Sequence, residues 1–312
     1  MRFKNLDLNL LVVLDALLTE GSVTRAARVL HRSPSAISDA LGRLREYFDD
    51  ELLAPVGRQL QPTPRAESLK AMVRDILVRI ETSVTAQPTF DPATTDRRFR
   101  IHVSDFTQFV LGPAVMAQTA RARSKAILHF LPQAAHPHRD LEHGDADLLI
   151  LPAGRVSPEH PGEALFTERF ACVVWRHGPL ADGPWDTARY AAASHVVMRP
   201  ITAQDASAYE DTHLRRAGVE RRIAATTFGF ATLPSLVVGT GHVATMQASL
   251  ARQLSRLWPL TLRPCPIEIP PMAQVMQWHS YRARDPGLAW LRQVMHHAAA
   301  GLTEGAAPAH AD

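Results

Sequence analysis

Apolar positions recur at helical spacing through the first part of the chain. Leu8, Leu11, Val12, Leu14, Asp15 and Leu18 give a stripe over about Asp7–Thr19. Gly21 stops it, and Ser22 can cap the next helix, which buries Val23, Ala26, Ala27 and Leu30. Ser33-Pro34 supplies an N-cap and then proline at the first helical position. The third helix runs to about Phe48 with Ala36, Ile37, Ala40, Leu41 and Leu44 inward; its other face carries Ser35, Ser38, Asp39, Gly42, Arg43 and Arg45. Two helices, a short turn between them and a polar-basic outer face make a helix-turn-helix pattern. Leu52-Leu53, a turn at Gly57-Arg58 and Leu60 predict a two-stranded wing.

From Pro64 to Ala86 the pattern is helical again. Ala66, Leu69, Val73, Ile76 and Ile80 step by the alternating spacing of a coiled-coil seam. A helix of that span is about 35 Å long and predicts dimerisation, with burial against its own domain as the alternative. Gln87 to Arg98 reads as a linker. Beyond it, apolar strands at 99–104, 126–131, 147–151, 171–175, 195–198, 223–227 and 242–246 alternate with helical stretches, and 275–278 reads as a returning strand. Such alternation predicts parallel sheets with helical crossovers, in two hinged subdomains.

Composition narrows the class. Hydrophobic residues make up 46% and charged residues 21% of 312, so global disorder is excluded. The two cysteines, Cys172 and Cys265, exclude a disulfide framework and a four-cysteine zinc site. Asp7, Asn9 and Asp15 interrupt the apolar start, and no apolar run reaches the ~18 residues of a membrane span, so the cytoplasm is the expected address. Net charge is only +3, yet Arg25, Arg28, Arg32, Arg43 and Arg45 face a single acid, Asp39, between Ser22 and Arg45. Glu46, Asp49, Asp50 and Glu51 then cancel that local excess, so the average hides a basic patch.

No nucleophile elbow, P-loop or dinucleotide fingerprint is present, and neither a catalytic residue nor a cofactor is expected. The pairs His136/His138 and His296/His297 lack the i, i+4 spacing of a zinc site, and Cys172 reads as core. A ligand cleft is expected outside the carboxyl ends of the strands. It takes in Ser104, Asp105 and Phe106 beyond the first strand, Thr202, Phe228 and Phe230 beyond later ones, and Met246 with Gln247. Aromatic, methionine and hydroxyl groups suit a mostly apolar pocket with few polar anchors, although the phenylalanines read equally well as core.

These segments resemble the LysR-type transcriptional regulators. The resemblance rests on Leu6-Asp-Leu-Asn-Leu-Leu11, Gly21-Ser-Val-Thr-Arg-Ala-Ala27, Ser35-Ala-Ile-Ser38, Leu41-Gly-Arg-Leu-Arg45, Gly57-Arg58 and Pro62-Thr-Pro64. Phe90-Asp-Pro92, Ser104-Asp-Phe106, Phe228-Gly-Phe230 and Met276-Gln-Trp278 make the chain most similar to the nodulation-regulator subgroup. The resemblance implies an α/β protein. Its parts are an N-terminal winged helix-turn-helix (1–65), a long linker and dimerisation helix (64–87), a hinge (88–98) and a periplasmic-binding-protein-like effector domain. That domain (99–302) divides into subdomain I (99–168 and 269–302) and subdomain II (169–268), ahead of a flexible tail (303–312). Double-stranded promoter DNA, a small aromatic or phenolic effector such as a flavonoid or salicylate-like acid, and a dimer of dimers are the implied partners. Candidate DNA-binding residues are Ser22, Thr24, Arg32, Ser33, Pro34, Ser35, Ser38, Asp39, Arg43 and Arg58. The family often carries glutamine where Pro34 stands and a basic residue where Pro55 stands, which bears on the operator sequence. The rival readings are a solute-binding module and an enzyme built on the same α/β domain.

Overall fold

The computed structural model describes residues 2–3, 6–56, 59–83, 89–133, 135–199 and 209–304. The chain divides into two compact units, Met1–Gln87 together with Glu142–Asp145, and the remainder.

In the first unit a short ribbon, β1 (Arg2–Phe3) and β2 (Leu6–Asp7), precedes α1 (Asn9–Glu20), α2 (Val23–Val29) and α3 (Pro34–Phe48). The wing is β3 (Leu53–Val56) paired antiparallel with β4 (Gln59–Pro62), and α4 (Pro64–Ser83) follows. Gly21 ends α1 at φ +57°, a left-handed conformation that costs glycine nothing. Ser22 and Ser33 cap α2 and α3 by accepting the N–H of Arg25 and Ala36, at 3.4 and 3.2 Å. Leu14, Leu17, Ala26, Ile37, Leu44, Leu52 and Leu53 form one buried core. Ala26 and Ala27 are buried because small side chains let the helices approach; Val23 and Leu30 are only half-buried. Ala36, expected inward, is exposed, since the buried arc of α3 is set by Ile37, Ala40, Leu41 and Leu44. The α4 seam also splits. Ala66 and Val73 join the helical core, while Met72 and Ile76 face outward.

The second unit holds two five-stranded sheets of one design. Subdomain I contains β5 (Arg98–Val103), α5 (Asp105–Arg121), β6 (Ile127–Pro132), α6 (Pro137–Glu142), β7 (Leu148–Pro152) and β8 (Gly162–Glu168). Subdomain II contains β9 (Phe170–Trp175), α7 (Thr187–Ala192), β10 (Ser194–Met198), α8 (Tyr209–Arg216), β11 (Arg222–Thr227), α9 (Leu233–Val237), β12 (His242–Gln247), α10 (Ala248–Leu254) and β13 (Leu260–Pro264). The chain then returns through β14 (Met272–Gln277) and α11 (Pro286–Glu304). Strand orders are β6-β5-β7-β14-β8 and β11-β10-β12-β9-β13.

The sheets are mixed rather than all parallel, which corrects the expectation. β14 runs antiparallel to β7 and β8, and β9 antiparallel to β12 and β13. Each reversed strand is the one that has just arrived from the other subdomain. The chain crosses between β8 and β9 and again between β13 and β14, so each sheet receives one strand from outside. β8 and β13 were not expected from the apolar pattern, and α11 runs past the expected start of the tail at 303. At the first crossing the buried Glu168 accepts the N–H of Arg169 at 2.9 Å and that of Ser249 at 3.2 Å, which ties the end of β8 to the start of α10.

Arg97, just before β5, is fastened to the residue that precedes α11. Arg97 donates through both terminal nitrogens to the Asp285 carboxylate, each at 2.6 Å, and its guanidinium lies 4.6 Å from the Phe99 ring centroid. Burial alone would raise the Asp285 pKa; the Arg97 guanidinium and the N–H of Leu288 overcome it and hold the carboxyl below its ordinary range. A depressed carboxylate adds stability that is complete above the unfolded value, about pH 4, and disappears as pH falls through the lower folded value. Acid unfolding of Asp285→Asn is therefore expected to flatten below pH 4 relative to wild type; parallel acid profiles would refute the assignment.

Candidate nucleic-acid interface and effector cleft

α3 presents its polar face because its apolar face is used in the core. Thr24, Arg32, Ser33, Pro34, Ser35, Ser38, Asp39 and Arg43 are exposed, and Ser22 is half-buried under its capping bond. Arg58 lies outside the described residues. Ser33 caps α3 and its hydroxyl lies 3.1 Å from that of Ser35. Pro34 has no N–H and Ser33 accepts those of Ala36 and Ile37, so the start of the helix presents mainly the hydroxyls of Ser33 and Ser35. His31 adopts φ +51° in the turn between α2 and α3.

The five arginines of the basic patch divide by role. Arg45 donates to the carbonyls of Glu51 at 2.8 Å and Leu53 at 3.0 Å and anchors the wing. Arg25 is held by the Glu20 carbonyl at 3.1 Å. Arg43 is 51% exposed and reaches Asp7 at 3.4 Å. Arg28 and Arg32 make no ion pair among the described residues. Arg28, on the last turn of α2, is exposed as well. The wing and α4 are braced by Asp50, which accepts the N–H of Leu52 at 2.7 Å and the hydroxyl of Thr63 at 2.6 Å. Thr63 in turn caps α4 through the N–H of Ala66 at 3.1 Å.

In the second unit, Ser104 caps α5 by accepting the N–H of Thr107 at 3.1 Å, and their hydroxyls lie 2.9 Å apart. Asp105, at the start of α5 in subdomain I, accepts the N–H of Ala231 in subdomain II at 2.9 Å. Burial pushes its carboxyl above the ordinary range, against the N–H groups of Ala231, Phe106 and Phe230, which lower it. A Cβ at Gly229 would stand 2.9 Å from the Asp105 Oδ2, so a side chain there would push the carboxylate aside. Phe106 and Phe230 pack edge to face at 6.5 Å and, with Met246, belong to the core that both subdomains share. Phe228 is 69% exposed. Thr202 lies outside the described residues. Gln247, at the carboxyl end of β12, is buried with its Oε1 unpartnered among the described residues. Gly229→Ala and Asp105→Ala are each expected to cost about 1–3 kcal/mol. The double variant should fall short of the sum, because both changes break one contact; additive losses in urea unfolding would count against the contact.

Three of the four paired histidines have ordinary partners. His138 bonds the Gln277 side chain at 3.1 Å, His296 bonds Glu163 at 2.8 Å and His297 bonds the Gln293 carbonyl at 2.7 Å. Among the described residues no three His, Cys, Asp or Glu side chains are grouped to hold a metal, and no helix is long and apolar enough to cross a membrane.

Residues 8–67 match the model of the bacterial regulatory helix-turn-helix protein of the lysR family, and residues 93–300 match the LysR substrate binding domain. The chain belongs to the LysR family of transcriptional regulators. Nodulation protein D 2 of Rhizobium tropici is 39% identical over 308 residues, 99% of this chain and 98% of that protein. Nodulation protein D 3 of Mesorhizobium japonicum is 39% identical over 95% of this chain and 98% of its own. A solved structure of a probable transcriptional regulator from Pseudomonas aeruginosa has TM-score 0.63 at 30% identity, covering 94% of this chain and 97% of that one. The LysR-family fold also matches full-length CbnR complexed with its target DNA, at TM-score 0.59 and 16% identity over 94% and 100% of the two chains. The LysR assignment makes the first unit a DNA-binding domain, the second an effector-binding domain, and the chain a regulator rather than an enzyme.

Proposed function

We propose that this regulator works in the cytoplasm as a dimer of dimers, reads promoter DNA with α3 in the major groove, and responds to a small aromatic or phenolic effector held between subdomains I and II. The observation that carries the reading is the division of α3 into a buried apolar face and an exposed face of Ser35, Ser38, Asp39 and Arg43. Arg28, Arg32, Arg43 and Arg58 supply backbone contacts, and Ser33, Ser35 and Ser38 reach phosphates and base edges. Ser22, Thr24, Pro34 and Asp39 complete the surface around them. Met72 and Ile76, both exposed on α4, support a helix-to-helix dimer contact.

For the effector, Ser104, Asp105, Thr202 and Gln247 provide polar anchors, and Phe228 provides an exposed aromatic face. Phe106, Phe230 and Met246 supply the apolar part of the site. Effector binding changes subdomain closure, and thereby the spacing of paired DNA-binding domains, to the extent that the two states bind it differently. The nodulation proteins support an inducible regulator by likeness across the whole chain. The test is a thermal-shift series of flavones, hydroxybenzoates and neutral phenols against the full chain. A true effector at about a hundred times its Kd stabilises by about 2.7 kcal/mol, a shift of several degrees that grows with concentration. If no compound shifts the transition, the aromatic class is wrong.

A further inference from the structure

Between Glu220 and Glu268 the chain carries no acid, while Arg221, Arg222, Arg252, Arg256 and Arg263 stand within that stretch. Phe170 to Leu180, which holds Arg176, carries none either. The two stretches run side by side as β9 and β13, antiparallel neighbours with Trp175 opposite Leu260. Some of these arginines are used internally. Arg221 pairs with the buried Asp211, and Arg263 donates to the carbonyls of Ala181 at 3.1 Å and Gly183 at 2.6 Å. Arg176, Arg252 and Arg256 are exposed and make no ion pair among the described residues.

An apolar centre lies among those three. Leu254, the last residue of α10, and Leu260, the first of β13, are both buried in the core. The connection between them is a tight turn, in which the N–H groups of Leu257 and Trp258 both bond the Leu254 carbonyl, at 3.0 and 2.9 Å. A turn pinned inward at both ends carries its middle outward, and Leu257 is 71% and Trp258 38% exposed. Arg256 directly precedes Leu257, and Arg252 lies one helical turn earlier. Arg176 closes the far side: its N–H bonds the Pro259 carbonyl at 2.8 Å, and its guanidinium reaches the Leu260 carbonyl at 3.4 Å.

A lone exposed leucine is ordinary on a protein surface. A leucine and a tryptophan rimmed by uncompensated arginines have the anatomy of a protein interface, apolar at the centre and charged at the edge. Tryptophan and arginine are also the side chains that most often carry binding energy there. The rim selects a partner of negative charge. A nucleic-acid backbone would engage the arginines but leave Leu257 in water, whereas an acidic peptide segment uses both parts. We infer that the turn from α10 to β13 is a docking site for an acidic segment of another protein, which sets an apolar side chain against Leu257 and Trp258 and carboxylates against Arg176, Arg252 and Arg256. The site depends neither on which effector the cleft takes nor on the DNA contacts of α3.

The experiment selects random peptides displayed on phage against the full chain, with no bias toward any composition. The expected winners carry acids flanking a leucine or an aromatic residue. The leading synthetic peptide should bind the wild-type chain, lose affinity at high salt, and bind about tenfold more weakly to Leu257→Ser and to Arg252→Glu combined with Arg256→Glu. All three side chains are exposed, so thermal unfolding of these variants should match wild type; the wild-type selection itself needs no variant. Failure to enrich any peptide, winners without acids, or equal binding to both variants would overturn the inference. So would loss of binding to a duplex of unrelated sequence, or to phosphatidylglycerol vesicles, as the main effect of the charge reversal. A change of oligomeric state in Leu257→Ser, read by sedimentation, would assign the patch to a second copy of the chain and overturn it equally.

Discussion

Arg282→Ala is expected to destabilise the effector domain by about 3–5 kcal/mol, the cost of taking the nearest cation from a buried carboxylate that then keeps only the partly exposed Arg100 guanidinium at 3.7 Å. Arg282 and Asp147 are both buried, and the guanidinium donates to one carboxylate oxygen. The other oxygen accepts the N–H of Arg100 at 2.7 Å, while the Asp147 N–H bonds the Arg100 carbonyl at 2.8 Å. One carboxylate therefore joins β5, the residue before β7 and the 3-10 helix that follows β14. Urea unfolding followed by fluorescence of the buried Trp278 reads the loss directly. Arg282→Met combined with Asp147→Leu should recover most of it, because no orphaned charge remains. A loss under about 1 kcal/mol in the single variant would mean that water reaches the carboxylate.

Arg32→Ala is expected to weaken binding to promoter DNA about tenfold and to lower the slope of log affinity against log salt by about 0.9, the loss of one phosphate contact. Arg32 has no ion pair to give up among the described residues, so its charge is available to DNA. Arg43 differs because Asp7 shares it at 3.4 Å. The Asn9 N–H and the Arg43 guanidinium hold the Asp7 carboxyl below its ordinary range, so it stays charged at neutral pH. Asp7→Asn should thus tighten DNA binding severalfold by freeing Arg43. Anisotropy titrations over a range of salt concentrations measure both variants. Unchanged affinity for Arg32→Ala at every salt concentration would remove it from the interface.

Much of this arrangement was legible in the sequence where local chemistry and long-range packing agree. Gly21, Ser22, Ser33 and Pro34 punctuate the helices where their backbone preferences say they must. The apolar runs of β5, β7 and β12 read as strands because both sheet faces are covered. What stayed hidden depends on partners distant in the chain. β8 carries Gly162, Glu163 and Thr167 and becomes a strand by pairing with β14, which lies over a hundred residues further on. The charge balance could not tell Arg45, spent on the wing's carbonyls, from Arg32. Nothing near Asp105 in the sequence announces the Ala231 N–H or the bare Gly229 that receive it. For the same reason Phe106 and Phe230 could be core or pocket until their rings were seen in contact.

The most direct test of the central claim is a DNase I footprint of the full chain on the intergenic DNA upstream of its own gene, at physiological salt and with excess competitor DNA. The account predicts discrete protection that survives competition and is lost when Arg32 and Arg43 are both replaced by alanine. Protection no stronger than on unrelated DNA, or a footprint unchanged in that double variant, would contradict it.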